Sequence, residues 1–249
     1  MNLKNNDGIL MGNLLSEELM TGKGKIIYVF DHVCNIKMEY DRGFSLIDKK
    51  ISMAPYYIQI DNKHDFSLLK ENLKADMEVI INEESITIPK INSCIDINNI
   101  GIWKGNLPKT KITKNLIKKR IDQLYHYIKY YGNNKGFGQL NFYWTALFKF
   151  EKDNIGDEKE SQLIKKSYKL LYNFIKSSEK ENKILNKLIG LGFGLTPSGD
   201  DFLIGFISVL DYYSMDKTVI IPSIYNTDMF SLTTFISDVA LRGALRGRF

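Results

Sequence analysis

Cysteine is nearly absent from this 249-residue chain: Cys34 and Cys94 are the only two, with no CxxC or CxH spacing around either. That excludes a disulfide framework and a cysteine-ligated zinc site, and it fits a reducing compartment where both thiols stay free. Both lie in strand-like apolar stretches and are expected to be inert. Histidine is as sparse. His32, His64 and His126 stand apart, without the spaced partners of a metal site, and read as surface or internally satisfied residues. Long apolar runs are missing too. The longest, FLIGFISVL from Phe202, falls far short of the roughly 20 residues of a membrane span, and MNLKNNDGILMGNLLSEELM at the start holds no uninterrupted apolar signal core. A cytoplasmic protein with no membrane partner is expected. With 44% hydrophobic and 25% charged residues, the chain can build a core without metal or disulfide staples.

Charge of one sign is lacking as well: 34 Lys plus Arg stand against 29 Asp plus Glu, a net of +5. The lysines alternate with acids, as in EKDNIGDEKE and SSEKENK, which describes a solvated surface rather than a nucleic-acid footprint. No nucleic-acid partner is expected. The one dense run, KTKITKNLIKKR from Lys109, has Ile112, Leu116 and Ile117 at positions fitting the inner side of a helix. Arginine is scarce, five in all, yet Arg242, Arg246 and Arg248 fall close together at the end. Where lysine is the default cation, such a cluster answers either to a demand for fixed bidentate donors or to a helix C-terminus and its dipole.

What is present divides near residue 105. Over residues 1–105 the pattern has period two: KIIYVF from Lys25, CNIKMEY with Cys34, Ile36, Met38 and Tyr40 on one face, then FSLID, with Gly43 in the intervening turn. PYYIQID, MEVIINEESITIP and CIDINNIGIW continue it, and DFSLLKENLK allows a short helix. Over residues 106–249 the period becomes helical. Ile117, Ile121, Leu124, Tyr125 and Ile128 recur at three- and four-residue steps, as do Ile164, Tyr168, Leu171 and Ile175, then Ile184, Leu185 and Leu188. Each stripe reads as core. Gly136 and Gly138 suggest a bend, EKDNIGDEKESQ an exposed connection, and Trp103 and Trp144 core anchors at the domain junction. The expected class is α+β: a small β-rich domain, then a mainly α-helical one.

One stretch breaks the helical pattern. IGLGFGLTPSGDDFLIGF, residues 189–206, spaces Gly190, Gly192 and Gly194 by two, which neither helix nor well-packed strand prefers. Thr196, Pro197, Ser198 and Gly199 follow, then Asp200 and Asp201, after which Phe202, Leu203, Phe206, Ile207 and Leu210 resume the helix. Thr196 or Ser198 suits an N-cap, Pro197 the first helical position, and Ser198 with Asp201 a capping box. A glycine loop feeding a capped helix offers free N–H groups to an anion. Adjacent helical residues point about 100° apart, so Asp201 would cap while Asp200 accepted a ligand amide or Mg²⁺. A rigid helix–helix corner with aspartate caps explains the same residues, and the two readings stay open. A Walker loop is excluded because no Lys-Ser/Thr pair follows the last glycine; a Rossmann fingerprint would need a preceding strand. Ser198 lacks the elbow setting of a hydrolase nucleophile.

GLGFGLTPSGDDFLIGF resembles the signature GLGPGLTPSGDDFLxG of the DUF2877 family, known for a subunit associated with oxamate carbamoyltransferase in allantoin catabolism. TTFISDVALRGALRGRF from Thr233 resembles that family's second block, with Thr234, Ser237 and Gly247 matching, while YVFDHVCNI and SMAPYYIQI fit its opening strands loosely. Phe193 stands where the family has proline. Family members continue past the Gly-Phe of the second block, so a chain ending at Phe249 is expected to be a fragment or a truncated product. The resemblance implies a carbamoyltransferase subunit, active only beside other subunits of its complex, with a small anionic substrate. It implies that Gly192, Gly194, Thr196, Ser198 and Gly199 cradle an anion, that Asp200 and Asp201 are catalytic with Asp200 the candidate Mg²⁺ ligand, and that Arg242 or Arg246 completes the anion site. No cofactor beyond Mg²⁺ is implied. A non-catalytic assembly or regulatory subunit, which would show an exposed apolar face, and an Mg²⁺-dependent phosphotransferase are the alternatives.

Overall fold

The computed structural model describes residues 4–17, 21–39, 42–61, 65–105, 107, 113–132, 159–176, 185–214 and 232–249. It divides into two compact units, one of Met1–Asn106 with Arg242–Phe249, the other of Leu107–Leu241. The stretch Arg242–Phe249, expected among the helices, groups with the strands.

The first unit is a curled sheet of nine strands. They are β1 (Lys4–Gly12), β2 (Gly22–Val29), β3 (Val33–Met38), β4 (Gly43–Asp48), β5 (Tyr57–Asp61), β6 (Glu78–Ile81), β7 (Ser85–Ile88), β8 (Ser93–Asp96) and β9 (Gly101–Trp103). Their order is β5-β4-β3-β2-β6-β7-β8-β1-β9, with a further pairing of β5 to β1. β1 therefore closes the sheet: one edge meets β5 antiparallel, the other meets β8 and then β9 in parallel. Closure removes most of the unpaired edge an open sheet would present.

Local chemistry sets the turns. Asn82 accepts at Oδ1 from the N–H groups of Glu84 (2.9 Å) and Ser85 (2.7 Å), an Asx turn that folds β6 back on β7. Asn92, at φ 50°, turns the chain out of a 3₁₀ turn (Pro89–Ile91) into β8. Gly43 is not in the turn before β4, as the spacing suggested, but is its first residue, paired with Lys37. The interior is isoleucine-rich: Ile26, Ile36, Ile58, Ile60, Ile81, Ile86 and Ile88 are each at most 1% exposed, and each contributes roughly 1.5–3 kcal/mol by burial. Helices α1 (Asn13–Glu17) and α2 (Asp65–Asn72) add Leu15, Phe66 and Leu69 to it.

β4 is buried along its whole length, so its polar residues carry partners. Ser45 donates to Asn35 Oδ1 (2.6 Å), and Asp48 accepts from the Lys50 N–H (3.2 Å) and pairs with His32 Nδ1 (3.1 Å). Both cysteines are free: Cys34 is buried, which pushes its thiol up to about 12, whereas Cys94 is exposed on β8 rather than enclosed in apolar surroundings. Trp103 is half-buried on β9.

The second unit holds α3 (Lys114–Tyr131), α4 (Lys159–Lys176), α5 (Ser198–Tyr212) and the start of α6 (Phe235–Leu245). Leu171, Leu185, Leu188, Leu203, Ile207 and Leu210 are buried, as the periodicity predicts, and Leu241 is buried as well. α3 differs. Thr113 caps it by accepting from the Leu116 N–H, but none of its described side chains is buried, and Ile121 and Leu124 from the predicted core stripe are exposed. His126 is exposed there beside the Tyr125 ring. No described helix is long and apolar enough to cross a membrane. Tyr40, His64, Ile112, Gly136, Gly138, Trp144, residues 151–158 of the expected connection, and Ile184 lie outside the described residues, as do the side chains of Ile164 and Ile175.

Candidate functional site

Leu185 and Leu188, both fully buried, anchor the chain as it enters the glycine stretch. Gly190, Gly192 and Gly194 then adopt φ of +69°, +144° and +86°. Gly190 is constrained twice, since a Cβ there would also lie 1.8 Å from the Leu232 carbonyl oxygen. The loop closes where the Gly199 N–H donates to the Leu191 carbonyl at 2.8 Å, an approach so tight that a Cβ on Gly199 would meet the Leu188 oxygen at 2.0 Å.

α5 starts differently from its sequence expectation. Pro197 is the N-cap rather than the first helical residue, and no side chain caps the end, so the Ser198–Asp201 capping box is not formed. The main chain does the work instead: the Pro197 carbonyl accepts from the N–H groups of Asp200 (2.9 Å) and Asp201 (3.2 Å). Asp200 faces away from the helix end. Its Oδ1 accepts from the Gly190 N–H at 2.8 Å and its Oδ2 from the Thr233 hydroxyl, and the residue is fully buried.

The beginning of α6 braces the same loop. Thr234 Oγ1 donates to the Leu195 carbonyl (2.5 Å) while accepting from the Ser237 N–H (3.2 Å), so one hydroxyl caps α6 and fixes the loop. Ser237 Oγ donates to the same Leu195 carbonyl at 3.5 Å. The two sequence blocks thus form one construction, with Thr233 on Asp200 and Thr234 and Ser237 on Leu195. Thr233 and the Leu195 carbonyl were not singled out by spacing, and Gly190 stood out only as one of the spaced glycines, not as a donor to Asp200. The adjacent hydroxyls of Thr233 and Thr234 were the available signal, but nothing local links them to a carboxylate 33 residues earlier.

Of the expected site residues, Gly192, Gly194, Thr196, Ser198 and Gly199 share this loop. Gly194, Thr196 and the tip residue Phe193, 73% exposed, face solvent. The Gly199 N–H is taken by Leu191. Among the described residues, no acceptor faces the N–H groups of Gly192, Gly194 or Ser198, and no partner meets the Thr196 hydroxyl. Asp201 is the carboxylate that reaches solvent, yet packing is close enough that partial desolvation, then repulsion from Asp200, raises its pKa from the usual 3.8. Arg242, in the last turn of α6, and Arg246, in the turn after it, belong to the other unit. No cluster of three His, Cys, Asp or Glu suited to a metal occurs among the described residues.

A curled N-terminal sheet followed by helices defines a mixed α+β protein, and its glycine loop is braced by the hydroxyl-rich start of a later helix. Residues 188–249 match the family model of the oxamate carbamoyltransferase subunit AllH, and residues 6–102 match that of the AllH family N-terminal domain. Together the two matches cover more than half of the chain, which belongs to the AllH family. Neither a curated protein nor a solved structure matches it significantly. The loop and α6 both fall within the first matched stretch, and the family is described as a subunit, which implies other chains beside it.

Proposed function

We propose that the chain is a subunit of an oxamate carbamoyltransferase and supplies a cradle for an anionic substrate in the interconversion of oxamate and carbamoyl phosphate with oxalurate and phosphate. In the transfer, the amide nitrogen of oxamate bonds to the carbamoyl carbon, the bond from that carbon to the phosphate oxygen breaks, and the nitrogen loses a proton. Charge gathers on the departing phosphate, so the reaction gains most from donors already fixed in place. The N–H groups of Gly192, Gly194 and Ser198 and the Thr196 hydroxyl are assigned that role. Asp201, the carboxylate that reaches solvent, is assigned the attacking oxamate nitrogen, and its raised pKa suits it to accept the proton that nitrogen loses. Asp200 is a positioning residue: both of its oxygens are engaged by protein donors, which favours that role over binding Mg²⁺. The two free thiols fit a cytoplasmic setting.

The observation that supports this reading is the double bracing of a loop in which the N–H groups of Gly192, Gly194 and Ser198 face no acceptor among the described residues. The test is thermal unfolding with carbamoyl phosphate, phosphate, oxamate or oxalurate, alone and in the assembled enzyme. A ligand at a hundredfold over its dissociation constant adds about 2.7 kcal/mol, and Asp201→Asn should lower turnover of the complex. No stabilisation by any of the four, with turnover unchanged in the variant, defeats the assignment. An assembly subunit without a ligand is the second reading, favoured by the exposed apolar side chains of α3; it predicts loss of assembly and no ligand effect.

A further inference from the structure

α3 does not behave as a surface helix of its own unit. Its 18 residues carry a broad apolar face, yet Leu116, Ile121, Leu124, Tyr127, Tyr130 and Tyr131 are exposed, Tyr130 and Tyr131 by 74% and 76%. Leu116, Leu124, Tyr127 and Tyr131 follow at steps that align them along one side, with Ile121 beside them. Helices of this length draw most of their stability from burying such a face, and here no described side chain of α3 is buried. Arg120 lies one turn after Leu116 and one turn before Leu124, exposed within the apolar face and without an ion pair among the described residues. A face rich in tyrosine with an arginine inside it has the composition of an interface core.

Charge selects the occupant. α3 holds Lys114, Lys118, Lys119, Arg120 and Lys129 against Asp122 alone, so a second copy would set like charges against like and leave Arg120 facing another cation. We infer that α3 is the surface by which this chain docks onto another subunit of its complex, one presenting an apolar groove with an acidic rim and a carboxylate positioned for Arg120. The inference rests on the subunit reading above, and it adds the surface and the chemistry of its partner.

The test uses the full chain co-expressed with the remaining oxamate carbamoyltransferase subunits, as wild type, Leu124→Asp and Arg120→Glu. Both substitutions fall on exposed positions, so each free variant should melt as the wild type does. The expected result is a complex with wild type and at least tenfold weaker association for each variant, together with slower hydrogen exchange in α3 on assembly. Variants that assemble like wild type, or α3 amides equally protected in the free chain, overturn the inference while leaving the proposed function standing. A wild-type chain that dimerises alone through α3 also overturns it. If wild type joins no complex, the subunit reading itself fails.

Discussion

Asp200 and Asp201 are neighbours in sequence with opposite surroundings, and each implies its own experiment. Asp200 is fully buried with one oxygen on the Thr233 hydroxyl. Thr233→Val keeps the shape and removes that donor, so a buried carboxylate oxygen is left unsatisfied; the expected loss is about 1–3 kcal/mol, read as a lower urea midpoint at unchanged slope. Thr233→Ser restores the donor and most of the loss. Asp201 carries the reverse sign. Its folded pKa is raised above the usual 3.8, first by desolvation and then by Asp200, so the folded state holds the proton more tightly than the unfolded chain. Stability contributed at this position is therefore complete below the ordinary value and is lost as pH rises through the raised one. Asp201→Asn should be more stable than wild type at neutral pH, with the gap closing toward acid. Urea midpoints at several pH values check this, and a constant gap would show that the carboxylate is not linked to folding.

At the scale of elements, the two flanks of the loop differ in what they tolerate. A side chain on Gly190 meets both a left-handed φ and the Leu232 oxygen, whereas Gly194 has a positive φ and open space around it. Gly194→Ala should cost only conformational strain, about 1–2 kcal/mol, and Gly190→Ala distinctly more, with Asp200 losing its Gly190 donor as the backbone shifts. Circular-dichroism melts of the two variants decide it, and equal losses would contradict the packing. The glycine loop, the following helix and the buried stripe of Leu203 and Ile207 were legible because all three depend on spacing within about twenty residues. The cap was misread for the converse reason. Ser198 and Asp201 fit a local box, but Thr233 competes for the neighbouring carboxylate from far along the chain, and the Pro197 carbonyl already serves the helix N–H groups. Closure of the sheet by β1 is likewise non-local: nothing in KNNDGILMG announces that it pairs with β5, β8 and β9.

Across the whole molecule, the net charge of +5 looked like a diffuse surface property, and for most of the chain it is, since lysines alternate with acids. Period alone told that α3 has an apolar side, not what covers it, and its burial was therefore misjudged. Five of its residues are basic and one acidic, a local excess as large as most of the chain's net charge. If α3 meets an acidic-rimmed partner, long-range attraction guides the encounter and short-range packing holds the complex. Raising salt from about 0.05 M to about 0.5 M shortens the screening length from well over 10 Å to a few ångströms. The association rate with the partner subunits should then fall about tenfold or more while dissociation changes little. Lys118→Gln with Lys119→Gln should flatten that dependence without touching Leu124 or Tyr127. Stopped-flow association across the salt range separates the terms. A rate that ignores salt but a complex that still fails with Leu124→Asp would mean that α3 docks through its apolar face alone, with Arg120 and the lysines as bystanders.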